Sequence, residues 1–357
     1  MNVLSLFDGI SCGRIALERV GIKVDNYFAS EIKEDALKVS KDNWKDIIQL
    51  GDVRNIRTTE LSKLPKIDLL LFGSPCQDLS NAMKNRKGLT GSKSVLFYEA
   101  LRILREIKPT YFLMENVATM KKEDRDIISK ELGVEPILIN SSLVSAQLRK
   151  RLYWTNIPNV NLPKDKEILL KNIITSGFVN KSKSRTINVS EARPVVNKEK
   201  LVRRYKTTGM VTLVFEDKDF STKSARIFNQ TELERLQTLP EGYTKCLDRN
   251  SAAGVIGDGW TIDVIAHILS KLKVMEVKQE AMQSEAPFLP SLKSWVSCLI
   301  LYDDDLMVLC DDCHNNAHAD LHLGTVSNPY CPMCNARMTQ RGNMMVCVCG
   351  TTIEPKR

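Results

Sequence analysis

The stretch that most constrains the fold is Ile67–Gln77, IDLLLFGSPCQ. Its apolar run stops abruptly at Gly73, and Pro75 and Cys76 follow two residues later. A short apolar run without polar alternation suits a strand buried on both faces, as in a parallel α/β sheet. Ligands of such sheets sit beyond the carboxyl ends of the strands. Cys76 therefore stands where a nucleophile would stand, on a turn stiffened by Pro75. A lone Ser-Pro-Cys is equally compatible with a packing cysteine in a loop, since free cysteine behaves as a small hydrophobe. Its neighbours have to decide between the two.

Those neighbours repeat one design: an apolar strand ending in a polar or charged residue. Val3–Phe7 runs into Asp8-Gly9-Ile10-Ser11-Cys12-Gly13 and then a helix carrying Ile15, Ala16 and Val20. A strand, a glycine-bearing turn and a helix N-terminus make a cofactor cradle. Val24–Ser30 ends at Glu31, a carboxylate placed to hold a ribose diol. Ile47–Leu50 leads to Gly51-Asp52-Val53, where Asp52 can accept from an adenine amino group. Tyr111–Met114 ends at Glu115-Asn116-Val117, so Glu115 lies on the same sheet edge as Cys76. A glutamate in a water-poor pocket can serve as an acid. Gln147, Arg149 and Arg151 alternate along an extended segment before Leu152–Thr155, presenting two guanidiniums together. Between Cys76 and the amphipathic helix Val95–Lys108, residues 78–94 form a basic loop with Gly88 and Gly91, read as a lid closing on a polyanion. Glu232–Leu239 reads as a helix stopped by Pro240, and Ala252–Trp260 leads into a helix over 262–272. His267 lies in that last helix and reads as structural.

Charge and cysteine divide the chain. Net charge is +8, but residues 276–357 hold six basic and ten acidic side chains, so the tail carries −4 and the body +12. A basic body implies a polyanionic partner, nucleic acid first among them. Between Lys164 and Arg226, fifteen Lys and Arg face seven acids in a loop-rich segment with weak periodicity. Seven of the ten cysteines lie beyond residue 297. The chain has neither an evident membrane-spanning run nor a signal peptide, so a soluble, cytoplasmic protein is expected, and clustered cysteines then argue for metal rather than disulfides.

With these residues in order, the body over residues 1–275 resembles the cytosine-5 DNA methyltransferases. The resemblance is carried by Phe7-Asp8-Gly9-Ile10, Glu31, Asp52-Val53, Pro75-Cys76-Gln77, Leu96, Glu115-Asn116-Val117, Gln147–Arg151, Arg235-Leu236-Gln237 and Gly257–Trp260. It implies an α/β, Rossmann-like S-adenosylmethionine-dependent methyltransferase fold with a small recognition insertion. The implied catalytic domain spans 1–157 and 225–275, with target recognition in 158–224. Cys76, Glu115, Arg149 and Arg151 would be catalytic. Phe7, Asp8, Gly9, Ile10, Glu31, Asp52, Val53, Pro75, Leu96, Asp258 and Trp260 would hold S-adenosylmethionine. The implied partner is duplex DNA, whose target cytosine must be flipped out to be reached. Details resemble the subgroup that includes the de novo methyltransferases, in a bacterial or phage-like enzyme working in a bacterial cell or phage-infected host. A tRNA cytosine-5 methyltransferase and a silent DNA-binding relative are the alternatives; the Cys-Phe-Thr signature of the former is absent, and Cys76 and Glu115 are both present. Two positions depart from the family pattern. Ser11 replaces a second glycine, which implies a less open cofactor turn, and Asp258 stands where Asn is common.

Beyond a linker over 276–295, residues 296–357 read as a zinc-ribbon-like module. Val296–Tyr302 and Leu306–Leu309 read as strands flanking an Asp-rich turn. Cys310, Cys313, Cys331 and Cys334 have the spacing of one four-cysteine site. In a second scheme Cys331 and Cys334 pair with Cys347 and Cys349, leaving Cys310 and Cys313 to His318 and His322; metal-free thiols are a third. A module of this size has a small core, so a bound metal would contribute directly to its folding.

Overall fold

In the computed structural model, the described residues are 1–75, 79, 88–91, 95–187, 197–208 and 211–272, together with the backbone of five short strands between residues 298 and 353. Cys76 and all six candidate metal cysteines lie outside the described residues. The chain divides into two units, Met1–Val274 and Met275–Arg357.

The first unit is built on a seven-stranded sheet. Its strands are β1 (Asn2–Leu6), β2 (Asn26–Ser30), β3 (Ile47–Gln49), β4 (Leu69–Phe72), β5 (Tyr111–Val117), β6 (Ile137–Asn140) and β8 (Lys150–Thr155), in the order β3-β2-β1-β4-β5-β8-β6. β1 to β5 pair in parallel; β8 runs antiparallel to β5 and β6. The result is a mixed α/β sheet in which parallel pairing dominates. All four residues of β4 are buried, as the unbroken apolar run demands. Alternation sends Val3, Leu69, Leu71 and Leu113 into one core and Leu4, Leu70, Phe72 and Met114 into the other. α1 (Cys12–Arg19) and α8 (Arg249–Asp258) pack into the first core; α4 (Val95–Ile107) and α5 (Lys122–Leu132) pack into the second.

α1 lies close to the sheet because Gly13 has no side chain. A Cβ there would meet Leu71 Cδ1 at 2.4 Å and the Tyr27 hydroxyl at 3.0 Å. Gly13 thus serves helix packing as well as the turn.

Three readings need adjustment. First, Ala252–Trp260 does not merely lead into the last helix: α8 occupies most of it. Asp248 caps that helix by accepting from the backbone N–H groups of Asn250 and Ser251, while Ala252, Ala253, Val255 and Ile256 bury its apolar side. Its glycines are tolerated because packing outweighs their low helix propensity. Secondly, residues 249–272 contain a window long and apolar enough for a membrane span, but 61% of it is buried within the protein. Thirdly, the weakly patterned segment after Thr155 has a small core of its own, Val211, Leu213, Phe215 and Ala225, against which Leu201 and Tyr205 pack. It is tied to the sheet domain by the short parallel pair β7 (Gln147–Leu148) and β9 (Ser184–Arg185). A second tie is buried Glu232 at the start of α7 (Gln230–Leu236), which accepts from Arg226 and from the Thr175 backbone. Burial alone would raise the Glu232 carboxyl, but Arg226 and the backbone donors hold it below its ordinary range.

In the second unit the described backbone forms a hairpin, β10 (Cys298–Tyr302) and β11 (Asp305–Leu309), with Tyr302 opposite Asp305. Thr339–Arg341, Met344–Val346 and Thr352–Ile353 form a separate three-stranded sheet.

Candidate active site

The carboxyl ends of β1, β2, β4 and β5 open onto one cavity of about 360 Å³. Thirteen of the fifteen residues expected to be catalytic or cofactor-binding line it: Phe7, Asp8, Gly9, Glu31, Asp52, Val53, Pro75, Leu96, Glu115, Arg149, Arg151, Asp258 and Trp260. Ile10 does not. Its side chain is fully buried in the core beside α1, and its carbonyl accepts from the Tyr243 hydroxyl at 2.8 Å. The fifteenth, Cys76, lies outside the described residues, one peptide bond beyond Pro75 at the cavity wall.

The turn after β1 is tightly wound. Phe7, Gly9 and Ser11 all take left-handed backbone, with φ of 57°, 61° and 60°. For Phe7 and Ser11 this is strained. Ser11 offsets its strain through its hydroxyl, which donates to Asp8 Oδ2 at 2.6 Å and bonds to Ser40 Oγ at 2.8 Å. Tyr27 donates to the other Asp8 oxygen at 2.8 Å. Asp8 is thus buried among neutral donors, and burial pushes its carboxyl up to about 6 against the lowering effect of those hydroxyls. Ser11 therefore supports the turn from within.

Glu31 and Asp52 are also engaged. Glu31 Oε2 accepts from the Gly9 N–H at 2.8 Å, and Oε1 from the Ile32 and Lys33 N–H groups. Asp52 accepts from the Arg54 backbone N–H at 2.9 Å and from its guanidinium, whose hydrogen bonds hold the carboxyl below its ordinary range. Asp258 is ion-paired with Lys33, so the acid that departs from the family pattern brings no unbalanced charge. Arg54 and Lys33 both line the cavity. They were not singled out from sequence, where Arg54 could have been found from its place two residues after Asp52; Lys33 is 225 residues from its partner.

At the end of β5, Glu115 has two partners. Arg151 Nε lies 2.7 Å from Oε1, and the Trp260 indole N–H donates to Oε2 at 3.1 Å. Asn116 turns the other way: its amide donates to the Ser74 carbonyl at 3.2 Å and lies 3.3 Å from the Ser74 hydroxyl, fixing the backbone that leads into Pro75. One dipeptide thus places the Glu115 carboxylate and holds the Ser74–Pro75 backbone. Arg149 does not sit beside Arg151 as a second free guanidinium. It is buried and donates to the Gly257 and Gly259 carbonyls at 3.1 and 2.8 Å, bracing the end of α8. Buried Gln237 joins it on the Gly259 carbonyl at 2.9 Å and accepts from Gln147 and Thr261.

Cys12 also lines the cavity, but burial pushes its thiol up to about 12. It remains a thiol at neutral pH and is a poor nucleophile there.

Residues 1–165 match the family of C-5 cytosine-specific DNA methylases. Over this region, a little under half of the chain, the protein is similar to that family. The chain is 31% identical over 207 residues to the type II methyltransferase M.NgoBV of Neisseria gonorrhoeae, covering 51% of this chain and 48% of that protein. It is 32% identical over 183 residues to the orphan methyltransferase M.Rho11sI of Bacillus phage rho11s, covering 48% and 36%. The chain thus spans about half the length, or less, of these curated relatives. Among solved structures, the Entamoeba histolytica methyltransferase EhMeth aligns with a TM-score of 0.57 at 20% identity, covering 76% of this chain and 97% of that one. That likeness is one of fold. Within the matched region, Glu115, Arg151, Asp8, Glu31 and Asp52 line the cavity just described.

Proposed function

We propose that this chain is a DNA (cytosine-5-)-methyltransferase, acting on a flipped cytosine in duplex DNA through a covalent adduct with Cys76. The observation that carries the reading is that the Glu115–Arg151 pair, the cradle acids and the Pro75 turn line one cavity. Its volume is in the range of small-molecule sites. Its donors and acceptors also fit S-adenosylmethionine: carboxylates Glu31 and Asp52 toward hydroxyl and amino groups, and Phe7, Val53, Leu96 and Trp260 as apolar walls. Bound there, S-adenosylmethionine supplies an electrophilic methyl group.

The chain's own residues supply the rest. The Cys76 thiolate adds to carbon 6 of cytosine, forming a C–S bond. The displaced π electrons pass toward ring nitrogen 3, which takes a proton from Glu115, and carbon 5 becomes enamine-like. Arg151 holds Glu115 and faces the ring carbonyl. After carbon 5 has gained the methyl group, water removes its proton, the C–S bond breaks, and nitrogen 3 returns its proton. Residues 158–224, basic and joined to the sheet through β7–β9, are the segment we assign to duplex recognition. In this reading the cysteine-rich segment binds zinc through Cys310, Cys313, Cys331 and Cys334, or through the set that adds Cys347 and Cys349. The setting is the cytoplasm of a bacterial cell or phage-infected host.

The test is methylation of a randomised duplex library followed by bisulfite sequencing. Protected cytosines in one sequence context, lost in Cys76→Ser, are expected. No protection on any sequence, with cofactor shown to bind, would refute the activity. Elemental analysis of the purified full chain tests zinc separately: about one or two equivalents are expected, and none would remove the metal from the account.

A further inference from the structure

We infer that Trp260 is a positioning residue for Glu115, beyond forming a wall of the cofactor cavity; this rests on the methyltransferase reading above. Glu115 has one oxygen on Arg151 and the other on the indole N–H of Trp260, at 2.7 and 3.1 Å. A guanidinium alone would leave the carboxylate free to swing about that contact. The second donor fixes the plane of the carboxyl group, and with it the direction in which Glu115 meets a ring nitrogen.

The indole is itself held from two sides. A Cβ on Gly73 would lie 3.0 Å from the indole nitrogen, 3.3 Å from Trp260 Cζ2 and 3.4 Å from Glu115 Oε2. A side chain at Gly73, just after β4, would therefore force the indole or the carboxylate to give way by a few tenths of an ångström. On the backbone side, the Gly259 carbonyl immediately before Trp260 accepts from both Arg149 and Gln237. Thr261, immediately after, donates to Gln237 and bonds to Ser141 Oγ at 2.8 Å. The buried Arg149–Gln237 network thus acts at a distance: it sets Trp260, and Trp260 sets the acid.

The discriminating measurement is release of tritium from [5-³H]cytosine in duplex DNA without S-adenosylmethionine. Addition of Cys76 at carbon 6 and protonation at nitrogen 3 generate the enamine. Carbon 5 then takes a proton from water and loses its triton, and elimination restores cytosine and the thiolate. This cycle uses Glu115 but no methyl donor, so a residue that only lines the cofactor cavity does not affect it. Trp260→Phe keeps an aromatic wall and removes the N–H. Exchange should fall about tenfold, while the S-adenosylmethionine Kd moves by less than about threefold, which also verifies folding. Unchanged exchange with weakened cofactor binding would overturn the positioning role and leave the methyltransferase reading intact. No exchange by the wild-type protein would overturn both. Should Trp260→Phe fail to fold, Gly73→Ala retains the indole and displaces it from Glu115. The same loss of exchange is expected there, and wild-type exchange would contradict the inference.

Discussion

Asp8 and Glu115 end neighbouring regions of one sheet and open on one cavity, yet their surroundings are opposite. Asp8 is met by the hydroxyls of Tyr27 and Ser11, and burial raises its carboxyl to about 6. Glu115 is met by the Arg151 guanidinium and an indole N–H. A carboxylate among neutral donors braces a strained turn; one beside a cation in an open cavity can, on the proposed function, work on a substrate. Strand position alone does not separate these roles. The partners do.

The largest expected effect comes from exchanging acid for amide at each end. Glu115→Gln should lower kcat by about 10²–10⁴-fold, the usual range for a positioned proton donor, with the S-adenosylmethionine Kd nearly unchanged. A comparable loss in Asp8→Asn would erase the functional distinction between the two. Next, Arg151→Met strands the largely buried Glu115 carboxylate, at a cost of about 3 kcal/mol. Thermal unfolding should then occur about 6–12 °C lower. An unaltered melting temperature would mean that the pair contributes little.

The contrast should also appear in pH dependence. Because the folded-state value of Asp8 lies above the ordinary 3.8, its ionised form opposes folding. Its penalty is absent below about pH 4, grows through the window up to 6, and is complete above it, reaching about 3 kcal/mol. Asp8→Asn should thus gain stability relative to wild type between pH 4 and pH 8 in urea denaturation of the cofactor-free protein. A difference that does not change with pH would contradict this account of Asp8. The smallest effect concerns Ser11. Ser11→Ala keeps the left-handed strain but loses the hydroxyl, whereas Ser11→Gly loses both. The glycine variant should be the more stable of the two by about 1 kcal/mol.

Much of this site was legible in sequence because buried strands announce themselves. The unbroken run before Gly73 and the apolar residues before Glu115 marked the sheet edge, and the strand ends brought Glu31, Asp52, Pro75 and Glu115 to one cavity. What stayed hidden depends on long-range approach. Trp260 and Glu115 are 145 residues apart, and Lys33 and Asp258 are 225 apart. No local period encodes such contacts. The packing of Arg149 is hidden from sequence for a related reason. Alternation placed it beside Arg151, but only the packed end of α8 shows that two carbonyls claim its guanidinium. Ile10 sat within the right motif, yet its side chain faces the core. α8 is hard to see in sequence because its glycines have low helix propensity, which burial against the sheet domain overrides.

The central claim is reversible addition of Cys76 to cytosine, assisted by the pair at Glu115. Duplex DNA carrying 5-fluorocytosine tests it most directly, because fluorine on carbon 5 cannot leave as a proton does and the adduct is trapped. With S-adenosylmethionine present, a denaturation-resistant protein–DNA band is expected from the wild-type chain and none from Cys76→Ser. No band from a protein that binds the cofactor, or a band that survives in Cys76→Ser, would contradict the account.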